Sequence, residues 1–353
     1  KILYNINVCK NKKSKIKLKN KNMSFYGKIY PEAWRIIKKN YYLLFFGLFA
    51  SVLGFFSEAN VFLNLNNSEP DFISSNLINW GRVMEKIMSS GLAFANFSNV
   101  LGILSIFIIM AIVLVITISS QGALIHSAWH NNLKSKNGDT KGPTFRENFQ
   151  VGLEKFWPLL GLHIIHSFIT FFFLLLIIDP LIYLLTKMDL GPLLYLMLAI
   201  VTFFVLVPLV VIISFVTRYG SAYIVIKNKK LIDAFIDGWL LFKINWLITI
   251  ENALFLMLIT IVYSFALSAV LALTFIPILI LSILMSATNP VFFFISSALG
   301  SFLAVLILFT GIAAYGAFYN IVWANVFLSL NSPGKSHSKL HRITKKHLPH
   351  LAK

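Results

Sequence analysis

Cysteine is nearly absent from this chain, with Cys9 the only one in 353 residues. A lone thiol excludes an intramolecular disulfide, a redox Cys pair and a thiolate-rich metal cage. Acidic residues are scarce too: 13 Asp and Glu stand against 31 Lys and Arg, and all charged residues make up only 12% of the chain, about half the share in soluble domains. No Gly-x4-Gly-Lys-Ser/Thr phosphate loop, Gly-x-Ser-x-Gly elbow or His-Glu-x-x-His zinc motif occurs, and with them go the chemistries those motifs signal. Nor is any hydrophilic stretch long enough to build a separate soluble catalytic core.

What the chain has in abundance is apolar length. It is 58% hydrophobic and 15% aromatic, and no formal charge occurs from Asn252 to Gly334. Roughly 20 apolar residues cross about 30 Å of hydrocarbon as a helix, and six segments qualify: about 41–56, 100–125, 157–178, 193–217, 246–272 and 291–319. Pro277 and Asn289-Pro290 interrupt the stretch between the last two, so residues 273–290 read as a re-entrant or outer-surface segment. The net charge of +18 is not spread as a nucleic-acid face. Lys and Arg collect in residues 1–39, 134–155, 218–243 and 335–353, and these blocks alternate with pairs of apolar segments. This is the positive-inside pattern, and it puts both termini in the cytoplasm. Residues 1–22 are a basic arm, read as sequence upstream of a start at Met23 in preference to a lipid-binding tail. Residues 331–353 are a basic, His-rich cytoplasmic tail, and residues 23–330 form the membrane domain.

Within that domain a pattern recurs three times. Trp34-x3-Lys38-x-Asn40-Tyr41 and Trp239-x3-Lys243-x-Asn245-Trp246 lead into apolar segments, and Gly152, Lys155 and Trp157 form a looser copy. Each unit closes on a glycine followed by a small residue: Gln121-Gly122-Ala123, Tyr219-Gly220-Ser221 and Tyr315-Gly316-Ala317. Aromatic rings settle at the headgroup level, so Trp34, Tyr41, Trp157, Trp239 and Trp246 are expected as interface anchors. Gly122, Gly220 and Gly316 are expected where helices pack closely. The expected fold is all-α: a polytopic transmembrane bundle of six spans, arranged as three hairpins, each preceded by a cytoplasmic amphipathic helix. Thr144 and Glu147 have the spacing of a capping box and predict the start of one such helix.

Ionisable groups inside a membrane are costly and therefore functional candidates. His163 and His166, three apart in the third span, and Glu251, at similar depth in the fifth, make the candidate polar intramembrane site. Two histidines and one distant carboxylate are not a metal signature, so no metal and no cofactor is expected. Hydrogen bonding of the histidines to neighbouring helices, and pairing of Glu251 with Arg218, is the plainer reading. Arg218 and Tyr219 at the end of the fourth span read as headgroup anchors. Ile73, Leu77, Trp80, Met84, Ile87 and Met88 recur at helical spacing between the first two spans and predict a surface helix on the outer side. The repeated residues read as scaffold, and function is expected in what is not repeated: His163, His166, Glu251 and the segment around Trp80.

Phe149-Gln150-Val151-Gly152 before Trp157-Pro158-Leu159-Leu160, and Asp233-Ala234-Phe235-Ile236-Asp237-Gly238-Trp239 before the fifth span, resemble a group of bacterial six-span membrane proteins. That group includes the membrane domain ahead of some glycerophosphoryl diester phosphodiesterases and related uncharacterised inner-membrane families. The phosphodiesterase domain has no counterpart in these residues, so the resemblance implies architecture and not that activity. It implies a multi-pass protein of a bacterial cytoplasmic membrane, which the Lys, Asn and Ile richness suits. The functional expectation is a non-enzymatic integral protein whose partners are bilayer lipid and other membrane proteins or copies of itself, with no nucleic acid. A small transporter using a polar path near His163, His166 and Glu251 is the alternative, ahead of an intramembrane metal-dependent enzyme.

Overall fold

A computed structural model describes residues 25–54, 97–137, 142–187, 192–286 and 290–331. Among these the chain is all-α, with nine helices and no strand: α1 (Phe25–Lys39), α2 (Leu43–Gly54), α3 (Phe97–Asn137), α4 (Phe145–Glu154), α5 (Phe156–Lys187), α6 (Pro192–Lys227), α7 (Leu231–Ile244), α8 (Trp246–Ser286) and α9 (Pro290–Leu330). Five stretches are long and apolar enough to cross a membrane: Leu104–Leu133, Phe156–Phe173, Val207–Lys227, Trp246–Leu284 and Val291–Leu330. The first expected span, about 41–56, overlaps α2, which is described for 12 residues. The predicted outer helix around Trp80, the arm 1–22 and the tail beyond Asn331 lie outside the described residues.

The short helices α1 and α4 are amphipathic, and the long helices are not. α1 buries Ile29, Ala33, Ile36 and Ile37 at helical spacing and leaves Glu32, Arg35, Lys38 and Lys39 out of the core, the pattern of a helix lying on a larger body. The capping box at α4 is formed: the Glu147 N–H donates to Thr144 Oγ1 at 3.3 Å, and the Thr144 N–H donates to Glu147 Oε2 at 2.8 Å. Between α6 and α7 the chain turns in three residues. Asn228 takes a left-handed conformation (φ 52°), which Asn tolerates better than other side chains after a helix end.

Two segments depart from expectation. Residues 273–286 do not form a separate segment after the fifth span: α8 runs without a break through Pro277 to Ser286. Proline removes one backbone donor but sets φ to a helical value, and long apolar helices tolerate it inside a membrane. The fourth apolar segment does not stop at Thr217 either, since α6 continues to Lys227. Its last turns are core, with Tyr219, Ala222, Ile224 and Val225 all buried.

Sequential helices pack against each other: α2 on α3, α5 on α6, and α8 on α9. α9 also packs on α2, so the last helix meets the first long one. Burial divides the long helices into two zones. Residues 117–125 of α3, 214–217 and 219–225 of α6, and 321–327 of α9 are buried. Further along the same helices Ile106, Phe107, Phe204, Val291, Phe294 and Phe302 are exposed, as are Met257, Val262 and Phe265 of α8. The buried zone lies toward the basic segments 134–155 and 218–243. Its core is sealed with small and polar residues, among them Ser119, Ser120, Ser127, Ser221, Thr249 and Asn252. Such residues let helices approach and bond across their interface.

Candidate functional site

The three closing glycines stand where helix axes meet. A Cβ built on Gly122 would lie 3.2 Å from the Gly152 Cα, and one on Gly152 would run into the Ser119 carbonyl. A Cβ on Gly238 would lie 3.0 Å from the Gly220 N. On Gly316 it would collide with Gly47 and Ser51 of α2. The glycine of each return helix therefore faces a glycine of the unit that follows, and the third faces back to the first: α3 on α4, α6 on α7, α9 on α2. The next residue in each triplet, Ala123, Ser221 or Ala317, is wholly buried.

The residue before each glycine reaches sideways. Gln121 Oε1 accepts from His163 Nε2 of α5 at 2.7 Å. The Tyr219 hydroxyl lies 2.8 Å from Thr249 Oγ1 of α8, and because Thr249 already donates to the Asn245 carbonyl, Tyr219 is the donor. Tyr315 bonds Thr260, also of α8. His163 is thus the counterpart of Thr249, each met by a residue two helices earlier in the chain, whereas Tyr315 bonds the helix just before its own. His166 points to the other neighbour: Thr217 Oγ1 donates to the Ile213 carbonyl at 2.9 Å, so His166 Nδ1 donates to Thr217 at 3.1 Å. The pair at i, i+3 ties α5 to α3 on one side and to α6 on the other.

Glu251 is met from α1. Tyr30 donates to Asn252 Oδ1 at 3.0 Å, and Tyr26 donates to the Ile248 carbonyl at 3.3 Å. Burial first, then the Glu251 carboxylate, raise both phenols above their ordinary range. One Glu251 oxygen, Oε2, is buried without a hydrogen-bond partner, as is the Asn252 Nδ2. Arg218 stacks on the rings of Tyr319 (4.6 Å) and Trp323 (5.5 Å) of α9, a cation–π arrangement. Tyr219 is 1% exposed and is a core residue, not the headgroup anchor expected of it. Trp34, Tyr41, Trp157, Trp239 and Trp246 are all exposed, Trp157 the most at 75%. The Lys38 ammonium lies 5.6 Å from the Trp34 ring.

Sequence reasoning missed a second polar cluster. His126 Nδ1 donates to Asn148 Oδ1 at 2.8 Å, Asn148 Nδ2 donates to the Tyr42 hydroxyl at 3.0 Å, and Tyr42 donates to the Pro143 carbonyl. This chain joins α3, the turn before α2 and α4 around a fully buried Asn148. A cavity of about 580 Å³ beside it is lined by His126, His130, Glu147, Gln150 and Glu154. The signal was present in the His126-x3-His130 spacing, which puts both rings on one helix face. Among the described residues no group of three His, Cys, Asp or Glu side chains is placed to hold a metal ion.

Fold and site together define an all-α protein with five helices able to span a membrane and a polar, tightly bonded packing zone at one end. No protein-family model, curated protein or solved structure matches the chain.

Proposed function

We propose that this chain is a non-enzymatic integral protein of a bacterial cytoplasmic membrane that acts through lipid or membrane partners. It has six spans in three hairpins, with both termini cytoplasmic. The observation that carries the reading is the bonding of His163 and His166. Each histidine spends a ring N–H on a neighbouring helix, His163 on Gln121 and His166 on Thr217, which is how buried polar groups hold a bundle together. The exposed apolar faces beyond this zone support the membrane placement, because surface of that extent is a liability in water and ordinary in lipid. In α9 the largely exposed run, residues 291–309, is about 28 Å long at 1.5 Å per residue, close to the hydrocarbon thickness. The proposed resemblance to the membrane domain of glycerophosphoryl diester phosphodiesterases extends to a six-span architecture alone.

A second reading, a small transporter, is favoured by one observation: the buried, unbonded Glu251 Oε2 beside Asn252. Glu251→Gln and His166→Ala separate the two. In a scaffold both variants lower the thermal midpoint of the purified protein and leave vesicle permeability to protons and small solutes unchanged. A transporter loses flux in Glu251→Gln at unchanged stability. Native mass spectrometry of the same preparations scores bound lipid, metal and subunit number. Stoichiometric metal that disappears in His163→Ala would overturn the non-enzymatic reading in favour of a metal-dependent enzyme.

A further inference from the structure

Between α3 and α5, on the face both helices turn away from the bundle, runs an open groove of about 710 Å³. Its walls are apolar along most of their length, with Met110 and Val113 on one side and Phe168 and Phe171 on the other. Its polar atoms gather toward one end, at Thr117, His163 and Ser167. Thr117 is the unusual member. It is 4% exposed, and its hydroxyl has no hydrogen-bond partner. Thr249, Thr260 and Thr274 of α8 and Thr310 of α9 donate to the carbonyl one turn back, whereas Thr117, like Thr170 of α5, does not. A buried hydroxyl left without that bond costs on the order of 1–3 kcal/mol unless something else accepts from it.

We infer that the groove between α3 and α5 holds one acyl chain of a cytoplasmic-leaflet glycerophospholipid, with Thr117 donating to the ester carbonyl of that chain. The inference rests on the membrane reading above. Both walls lie within stretches long and apolar enough to span a membrane, so lipid is the medium that meets the groove. The polarity of the groove sets the orientation of its occupant. The polar end lies toward Trp157 and Lys155, and the apolar end points away along α5. His163 comes six residues after Trp157, about 9 Å along the helix axis. With Trp157 among the headgroups, this is about where the interfacial layer, roughly 5–8 Å deep per leaflet, gives way to the chains. Lys155 precedes Trp157 and supplies a cation on the phosphate side of the ester. Phe171 lies eight residues beyond His163, about 12 Å along the axis and so near the bilayer midplane, where a lipid of the opposite leaflet would bring only its chain end.

The test uses the full chain in vesicles of phosphatidylethanolamine and phosphatidylglycerol, doped with a phosphatidylglycerol that carries a diazirine near the ester end of one acyl chain. After photolysis, labelled peptides are mapped by mass spectrometry. The expected result is labelling concentrated on residues 110–118 and 160–171, above that on the equally exposed α8 face around Met257, Val262 and Phe265. Thr117→Val keeps the shape and removes the donor, and should lower the groove share about fivefold, the equivalent of one net hydrogen bond. Val113→Trp, an outward-facing change that fills the groove, should remove the groove labelling and leave that of α8. Labelling in simple proportion to exposed apolar area, or a groove share unchanged by Val113→Trp, overturns the lipid site while the membrane reading stands. Absence of labelling on α8 as well overturns the membrane reading and the site with it.

Discussion

At the residue scale the decisive feature is absence of side chain. A Cβ on Gly152 would run into the Ser119 carbonyl, whereas one on Gly122 would lie 3.1 Å from Leu159 Cδ1 and 3.2 Å from the Gly152 Cα, tight by only a few tenths of an ångström. A leucine tip can rotate away, and a backbone carbonyl cannot move without its helix. Gly152→Ala is therefore expected to cost more than Gly122→Ala: about 1–3 kcal/mol for the first, in the range of overpacked cores, and less than half of that for the second. Thermal unfolding of both proteins in the same lipid nanodisc gives the comparison, and equal losses would remove the distinction between a rigid and a yielding neighbour. The histidines follow a similar logic. His163→Ala strands the Gln121 amide inside the bundle, at a cost of about 1–3 kcal/mol. Gln121→Leu together with His163→Leu removes both ends of the bond and should recover much of that loss, because an apolar pair leaves nothing unsatisfied.

At the element scale α1 is held to the bundle by phenols. Tyr26 and Tyr30 bond α8 and pack against Phe255 and Phe318. Their raised pKa values mean that the folded state favours the neutral phenol. The stabilisation is present in full below the unfolded value of about 10 and is lost as pH rises beyond it. Limited proteolysis in α1 should accelerate above that pH in the native protein and much less in Tyr26→Phe/Tyr30→Phe; cleavage independent of pH would remove the phenols as the latch. The amphipathic helices were the most legible elements in the sequence. The Trp-x3-Lys-x-Asn lead-ins and the Thr144–Glu147 box are local signals, set by neighbours within one turn, and local signals survive into the fold. The ends of α6 and α8 were not legible. Arg218 and Pro277 are terminators by local rules, yet Arg218 is accommodated by the rings of Tyr319 and Trp323, more than 100 positions away. Tertiary partners of that kind leave no trace in a window of sequence. For the same reason His163 was legible as a buried polar group but not as the counterpart of Thr249, since that likeness appears only when Gln121 and Tyr219 are seen reaching across.

For the whole molecule, the ring of contacts from α3 to α4, α6 to α7 and α9 back to α2 gives three units in cyclic order, and that order constrains topology. Parallel repeats carry each return helix to the same side of the membrane, so Gly122, Gly220 and Gly316 should share a side, together with the ion pair at the α6–α7 turn. There Lys229 Nζ lies 2.5 Å from Asp237 Oδ2, and this hydrogen bond raises the lysine pKa, although an exposed pair of this kind adds little to stability. Its value is as a marker. Single cysteines introduced at Lys229, Asn137 and Ser332, after Cys9→Ser, should all react with a membrane-impermeant maleimide in inverted vesicles and be protected in intact cells. A cysteine at Met188, between α5 and α6, should do the opposite. If Asn137 and Lys229 label from opposite sides, the three units are not parallel, and the cyclic pairing of their glycines no longer reflects a repeat. If Lys229 and Ser332 alone disagree, the extra crossing lies within α8 and α9. Each of these helices is about 60 Å long, twice the hydrocarbon thickness, and such a result would mean that the exposed apolar run beyond Met257 is bent back through the bilayer.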